Sequence, residues 1–170
     1  MTDIQRLIED LPVFPVDDRG FYHNMMSLII SQRIRFSRGR KIREKIYKIL
    51  NEYTLDRIIE LTEKQRKTIG LSDEKWIIIN LFHISIREGK TNFNDIKGIG
   101  EWTINCSLIM SGDYSCGFIV GDLAVRKKLA ELLKLPKLTL ADTKKLVSSW
   151  PHTIKEKGII FSKLWNATRN

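Results

Sequence analysis

The hydrophobic positions of this chain recur three and four residues apart over most of its length, which is the spacing of amphipathic α-helices. The clearest faces carry Phe21 with Met25, Leu28 and Ile29; Ile42 with Ile46, Ile49 and Leu50; Trp76 with Ile79, Phe82, His83 and Ile86; and Ile160 with Phe161, Leu164 and Trp165. No segment of convincing length alternates between polar and apolar residues. The pattern therefore predicts an all-α protein.

Capping residues divide the pattern into separate helices. A hydroxyl or carboxylate side chain at the first position of a helix accepts a hydrogen bond from an exposed backbone N–H, and glycine commonly ends a helix. Helix starts are predicted at Thr54, Thr62, Ser72, Glu101, Asp122 and Thr139, and helix ends at Leu61, Gly70, Gly89, Gly112 and Pro136. Leu11–Pro15 contains two prolines and predicts an extended lead-in.

The net charge of the chain indicates which kind of molecule it binds. Lys and Arg total 29 against 20 acidic residues among 170, a formal net charge of +9 that favours a polyanionic partner. No apolar run has membrane-spanning length, and Met1-Thr2-Asp3 does not open a signal peptide. The two cysteines, Cys106 and Cys116, fit no standard zinc pattern, and we expect no disulfide between them. We therefore expect a cytoplasmic protein.

A glycine turn stands before the helix predicted from Glu101. In Gly98-Ile99-Gly100 two glycines bracket one apolar residue, and Lys97 precedes them. Such a turn can direct bare backbone N–H groups outward beside a helix N-terminus, where they bind an anion such as phosphate. An ordinary helix-starting turn is the alternative that these residues alone leave open.

A single carboxylate follows in Gly121-Asp122, 22 positions after Gly100. An Asp at a helix start is commonly a plain N-cap. The same position suits a catalytic carboxylate, because the helix N-terminus favours negative charge and a glycine lets the backbone approach a ligand. The residue by itself is compatible with both roles.

The two motifs together resemble those of a known enzyme superfamily. Ile96-Lys97-Gly98-Ile99-Gly100-Glu101-Trp102-Thr103-Ile104, followed by Asp122, is similar to the hairpin and catalytic Asp of the helix-hairpin-helix (HhH-GPD) DNA glycosylases. The likeness is greatest to the alkylbase branch, the 3-methyladenine DNA glycosylase II type. That branch usually has a proline where Lys97 stands.

The resemblance extends over most of the chain. Leu28–Gln32 resembles the family's first cleft helix, Gly70-Leu71-Ser72 with Lys75 resembles the start of its middle helix, and Trp150-Pro151 precedes a similar C-terminal helix. It implies one glycosylase domain over residues 1–170, with a cleft between two helical lobes. One lobe spans about 21–111 and includes the hairpin at 96–100; the other combines the N-terminal segment with about 122–170.

The resemblance also implies the chemistry. Asp122 would stabilise an oxocarbenium-like sugar and direct the attack of water. Lyase members carry a lysine at the position of Trp102, so the chain is expected to be monofunctional. Trp102, Cys106, Leu123 and Trp165 would line the base pocket, and an indole face suits a cationic alkylated purine. For both tryptophans, a place in the hydrophobic core is the alternative.

Further residues correspond to the family's contacts with DNA. The target base must leave the duplex, and Gln32, Arg33 and Ile34 lie where the superfamily places the wedge that fills the gap. Lys97, Gly98, Ile99 and Gly100 would bind backbone phosphate, and the carbonyls of Ile96 and Ile99 would hold a structural Na⁺ or K⁺. The four C-terminal cysteines of an iron–sulfur cluster are missing, so no required cofactor is expected.

The resemblance implies removal of a damaged base, an alkylated purine first, from duplex DNA by a monomeric enzyme that does not bind membranes. It also implies an enzyme associated with the nucleoid in the cytoplasm of a prokaryote. Uracil, hypoxanthine and 8-oxoguanine are alternative substrates for the same fold. A non-catalytic helix-hairpin-helix DNA-binding module and a bifunctional lyase are the rival functions.

Overall fold

The computed structural model describes residues 3–169, and every regular element in that range is an α-helix. The helices are α1 (Asp3–Leu7), α2 (Phe21–Ser31), α3 (Phe36–Leu50), α4 (Leu55–Ile58), α5 (Glu63–Ile69), α6 (Asp73–Arg87), α7 (Glu101–Met110), α8 (Leu123–Leu132), α9 (Leu140–Ser149) and α10 (Ile154–Ala167). The all-α prediction is confirmed. No helix in this range is long and apolar enough to cross a membrane.

The chain forms two compact units. The first contains residues 1–18 and 108–170, and the second contains residues 19–107, so the division falls within α7. We call them the terminal unit and the hairpin unit, since the second contains the Gly98-Ile99-Gly100 turn. The start of α7 belongs to the hairpin unit, whereas Asp122 belongs to the terminal unit.

Helix α2 is the centre of the hairpin unit. All of its residues from Asn24 to Ile30 are buried, and it packs against α3, α4 and α6. Its apolar surface joins a core that includes Ile46 and Phe82, both fully buried. Burying a large aliphatic or aromatic side chain contributes about 1.5–3 kcal/mol, so this core fixes the end of α2 beside the hairpin.

The terminal unit is held together by α8, α10 and a cluster of aromatic rings. Val125 and Leu129 of α8 are fully buried, and α8 packs against α10. Phe161 of α10 meets the edge of Phe118, with ring centroids 5.6 Å apart. These contacts fix α8, and with it the position of Asp122 at its first turn.

The predicted helix caps are confirmed, but the predicted end of α8 is wrong. Thr54, Thr62, Ser72, Asp122 and Thr139 each accept a backbone N–H at the start of a helix. Helix α8 ends at Leu132, before Pro136, in a Schellman turn with Leu135 N–H donating to Ala130 O at 2.9 Å. Lys134 takes the left-handed position (φ 54°) where glycine is usual, so its residue type carries no stop signal.

Two short helices also differ from expectation. Helix α4 ends at Ile58 rather than at Leu61. Helix α1 is absent from the sequence prediction, because its five residues are too few for a periodic pattern to be recognised.

Candidate functional site

The hairpin is a tight turn closed by its own backbone. Ile99 N–H donates to Ile96 O at 2.9 Å, and Gly100 O accepts from Thr103 N–H at 2.9 Å as α7 begins. Gly98 has φ 100°, and a Cβ built on it would lie 2.4 Å from Ile78 Cδ1. The fold itself therefore requires glycine at position 98.

Gly100 has no such requirement. Its φ is not in the left-handed region, and a Cβ built on it would meet no chain atom within 4 Å. Lys97 and both glycines are exposed, whereas Ile99 is 3% exposed and anchors the turn in the core. The turn thus presents bare backbone and one lysine side chain, which is a surface that suits close approach of an anion.

The predicted wedge, Gln32, Arg33 and Ile34, forms the turn between α2 and α3, and its start is anchored on three sides. Gln32 Nε2 donates to Gly98 O at 2.9 Å and to Thr103 Oγ1 at 3.0 Å, which joins the wedge to the hairpin. From α6, Lys75 Nζ donates to Ile30 O at 2.6 Å. From α3, Arg43 Nη1 donates to Ser31 Oγ at 2.7 Å.

The three wedge residues differ in what they can do. The Gln32 amide is engaged by the hairpin, and Ile34 is partly buried against the core. Arg33 is exposed and holds φ 56°, a left-handed conformation that is uncommon for a residue with a side chain. A strained residue on a rigidly anchored turn is a feature of functional sites.

A hollow of about 490 Å³ opens beside the wedge, wholly within the hairpin unit. It is lined by Ser31, Gln32, Arg33, Ile34, Glu74, Lys75, Ile78, Gly98 and Trp102. Burial lowers the pKa of the Lys75 ammonium below its usual value, and Arg38 lowers that pKa further by charge repulsion. The structure thus brings Trp102, the wedge and the hairpin to one surface, which sequence spacing alone did not show.

Asp122 is the N-cap of α8. Its Oδ1 accepts from Val125 N–H at 2.8 Å, and the residue is 6% exposed. Gly121 before it resembles Gly100, because its φ is not left-handed and a Cβ there would meet no chain atom within 4 Å. Asp122 therefore does cap α8, and the hydrogen bond from Val125 N–H fixes the orientation of its carboxylate.

The four predicted pocket residues have different environments. Leu123 is 56% exposed and Trp102 is half-buried, whereas Cys106 is fully buried. Trp165 is 5% exposed and stacks on Phe14, with ring centroids 4.8 Å apart. Trp102 and Leu123 thus have side-chain surface accessible to solvent, whereas Trp165 has the contacts of a core residue.

The predicted Na⁺ or K⁺ would bind to carbonyl oxygens of the hairpin. Ile96 O accepts one hydrogen bond, from Ile99 N–H, and a carbonyl oxygen has two lone pairs, so the bond leaves capacity for a monovalent ion. No group of three or more His, Cys, Asp or Glu side chains in the described part of the chain could hold a metal ion.

Sequence reasoning missed two supporting residues. Both are on α3 and contact Ser31. Arg43 donates a hydrogen bond to its Oγ, and Gly39 leaves room for it, because a Cβ at position 39 would lie 2.5 Å from Ser31 Oγ. Burial lowers the pKa of the Arg43 guanidinium. A lone basic residue on a basic helix carries no sequence signal for such a contact.

Solved structures share the architecture of this chain. A DNA-3-methyladenine glycosidase from Bacillus halodurans aligns over 97% of this chain and 83% of its own, with 16% identity and a TM-score of 0.73. A 3-methyladenine DNA glycosylase from Schizosaccharomyces pombe, in complex with abasic DNA, aligns over 93% and 87%, with 19% identity and a TM-score of 0.71.

A third match is an 8-oxoguanine glycosylase/lyase from Clostridium acetobutylicum, in complex with double-stranded DNA containing cytosine opposite 8-oxoguanine. It aligns over 88% of this chain and 60% of its own, with 18% identity and a TM-score of 0.65. No family model and no curated protein sequence matches the chain. The structural likeness confirms the resemblance drawn from the hairpin at the level of the fold: this chain has the helical fold of the helix-hairpin-helix DNA glycosylases.

Proposed function

We propose that this protein is a monofunctional DNA glycosylase that removes a damaged base from duplex DNA, with Asp122 as its catalytic carboxylate. The observation that carries the proposal is the placement of Asp122 as the N-cap of α8, in a chain with the glycosylase fold and an exposed Gly98-Ile99-Gly100 hairpin.

The reaction breaks the bond between C1′ of the sugar and a ring nitrogen of the base. The bonding electron pair leaves with the base, so an alkylated purine that carries a positive charge departs neutral. The sugar becomes oxocarbenium-like, and the Asp122 carboxylate stabilises its charge. A water oxygen then bonds to C1′ and loses its proton to the carboxylate.

Capping and catalysis are compatible on Asp122. The bond from Val125 N–H uses Oδ1, and a carboxylate offers two oxygens with about four lone-pair sites. The cap holds the side chain in one rotamer, which reduces the reorganisation needed when charge develops on the sugar.

Binding to DNA is assigned to the hairpin and the wedge. The net charge of +9 attracts the duplex, and the exposed backbone of Gly98 and Gly100, with Lys97, receives a phosphate. Na⁺ or K⁺ on the carbonyls of Ile96 and Ile99 would add positive charge beside that phosphate. Among the wedge residues, Arg33 enters the duplex, because the Gln32 amide is bound to the hairpin and Ile34 packs on the core.

The substrate class is assigned from Trp102. Its half-buried indole offers an aromatic face, which binds an electron-poor, cationic ring better than a neutral one. Two of the structural neighbours act on 3-methyladenine and one on 8-oxoguanine, so the fold accommodates both kinds of base. Trp102 also occupies the position of a lyase lysine, which is why no strand cleavage is proposed.

The test is single-turnover base release from duplexes that contain 3-methyladenine or ethenoadenine, hypoxanthine, 8-oxoguanine or uracil. Asp122→Asn should abolish release yet retain stability and DNA affinity, because Asn is as good an N-cap as Asp. Asp113→Asn makes the same chemical change in the same unit, at a side chain that accepts from Ser115 N–H, and should release base like the wild type.

Each of the other outcomes would contradict a different part of the proposal. Release of only 8-oxoguanine or uracil would keep the mechanism and discard the substrate class. A covalent protein–DNA product trapped by borohydride would overturn the monofunctional assignment. DNA binding without release of any base would favour the non-catalytic helix-hairpin-helix module.

A further inference from the structure

A second basic surface lies in the terminal unit, along one face of α8. It is a groove of about 430 Å³, with α8 on one side and residues 135–138 on the other. Leu123 lies at its start, directly after Asp122. The hairpin and the wedge contribute nothing to this groove, since every residue that lines it belongs to the terminal unit.

The groove exists because of the turn that ends α8. Lys134 adopts the left-handed conformation, and Leu135 N–H returns to Ala130 O, so the chain reverses and runs back beside the helix. Pro136 and Lys137 follow and form the second wall. A helix continuing to Pro136, as the sequence predicted, would not have formed this wall.

The charge in the groove is positive and uncompensated. Lys127 and Lys137 are exposed and form no ion pair with any residue in the described range. The one acidic residue of the lining, Glu131, is bound by Lys128 at 2.8 Å. Cations that have no acid beside them bind an external anion without first breaking an ion pair.

Arg126 adds a directional donor. Its Nε is buried and has no hydrogen-bond partner among the described residues, and Nη1 reaches only Leu138 O, at 3.5 Å. A buried donor without an acceptor costs about 1–3 kcal/mol. The Arg126 side chain lines the groove, and the N–H groups at the open end of its guanidinium match the geometry of a phosphate placed there.

The remaining side chains that line the groove are mostly apolar, and two leucines among them are exposed to solvent. Leu123 is 56% exposed and Leu135 is 43% exposed. A nucleic-acid strand carries both charged phosphates and the less polar faces of its sugars, so it matches a groove that is lined by both cations and leucines. A free phosphate would leave the leucines exposed to water.

We propose that this groove binds the sugar–phosphate backbone of the DNA substrate, as a second phosphate-binding surface that begins one residue after Asp122. The proposal rests on the proposed glycosylase function. It adds a contact along α8 to those made by the hairpin, and it explains why three cations accompany exposed leucines there.

The test measures the salt dependence of DNA binding. Affinity for a duplex that carries a stable abasic-site analogue is measured by fluorescence anisotropy for wild type, Lys127→Gln/Lys137→Gln and the control Lys144→Gln/Lys145→Gln. The control removes the same charge from exposed positions of α9 in the same unit. All four lysines are exposed, so neither double variant should unfold the protein.

The expected result follows from counterion release. Each phosphate that a lysine neutralises contributes about 0.9 to the slope of log affinity against log salt, so removing both lysines should lower the slope by about 2. Removing one such lysine should weaken binding by about eightfold near 0.1 M salt. The control should change neither quantity by as much. Equal slopes in the two double variants would overturn the proposal.

The experiment also distinguishes two other outcomes: failure of the glycosylase function itself, and binding of a protein segment in the groove. If the wild type binds no duplex even at low salt, the glycosylase function itself fails. A fluorescent peptide of alternating Asp and Leu tests a protein segment as the occupant of the groove. Loss of peptide binding in Lys127→Gln/Lys137→Gln, with an unchanged DNA slope, would assign the groove to a protein partner and contradict the proposal.

Discussion

Arg33 combines backbone strain with a proposed function, and a single substitution separates the two. Its φ of 56° is one that costs an L-residue about 1–2 kcal/mol. Glycine has no such cost, but it loses about 0.5–1 kcal/mol more conformational entropy on folding. Arg33→Gly should therefore stabilise the protein by about 0.5–1 kcal/mol.

The same substitution should impair base excision. Taking a base out of the stack costs a few kcal/mol, and the Arg33 side chain is proposed to occupy the space that the base leaves. If it supplies about 1.4 kcal/mol of that cost, its loss slows single-turnover release about tenfold. A variant that gains stability as it loses activity is the expected signature of a strained functional residue.

The assay pairs thermal denaturation with single-turnover release from an alkylated duplex. For a chain of this size, 1 kcal/mol corresponds to a shift in Tm of about 2–4 °C. Asn51→Gly is the matched control, since Asn51 has φ 54° at the exposed end of α3 and no proposed contact with DNA. It should release base like the wild type. Arg33→Gly with a lower Tm and normal release would refute the reasoning on both counts.

Three further predictions concern the surroundings of the site. Gln32→Met removes the hydrogen bonds to Gly98 O and Thr103 Oγ1 and should destabilise the protein by about 1–2 kcal/mol in urea denaturation. Gln32→Glu should not restore the wild-type stability, because its carboxylate has no donor for Gly98 O. Burial raises the pKa of the Cys116 thiol to about 11 from 9.0. The unfolded thiol therefore ionises first, and unfolding free energy should fall between about pH 9 and pH 11 in wild type more than in Cys116→Ser. Lys134→Gly, which relieves the left-handed turn after α8, should raise the Tm by a few degrees.

Local chemistry explains what the sequence could predict. The N-caps at Thr62, Ser72 and Asp122 depend on one side chain and the N–H groups of the next turn, so a short stretch of sequence determines them. The end of α8 depends instead on Lys134 adopting a conformation that its residue type disfavours. Only the packing of the whole turn decides that, and Pro136 was the wrong signal.

The two tryptophans show the same limit at the candidate site. Trp102 and Trp165 lie on helices whose apolar positions have the same spacing, so the sequence could not distinguish a ligand-facing ring from a core ring. In the structure, Trp165 stacks on Phe14, a residue 151 positions away along the chain, whereas Trp102 faces the hollow beside the wedge. Burial of an aromatic ring depends on such distant partners, and periodicity carries no information about them.

Glycines that the fold does not require offer an independent test of where DNA approaches. Of the ten glycines, only Gly100 and Gly121 have both an ordinary φ and open space around the Cβ position. Gly100 directly precedes α7 at the hairpin, and Gly121 directly precedes Asp122. Under the proposed function, these are the two places where the DNA backbone comes close. Each costs conformational entropy that alanine would save.

Gly100→Ala and Gly121→Ala should therefore keep or raise the Tm, by up to about 0.4–1 kcal/mol of stability each, and yet weaken binding to the abasic-site duplex. Gly98→Ala should instead lower the Tm, because its Cβ would lie 2.4 Å from Ile78 Cδ1. The three variants separate a glycine kept for folding from glycines kept for a ligand. If Gly100→Ala and Gly121→Ala bound DNA as tightly as the wild type, the N–H groups of the hairpin and the loop before Asp122 would not be where the backbone approaches, and the DNA-binding assignment of these two segments would fall.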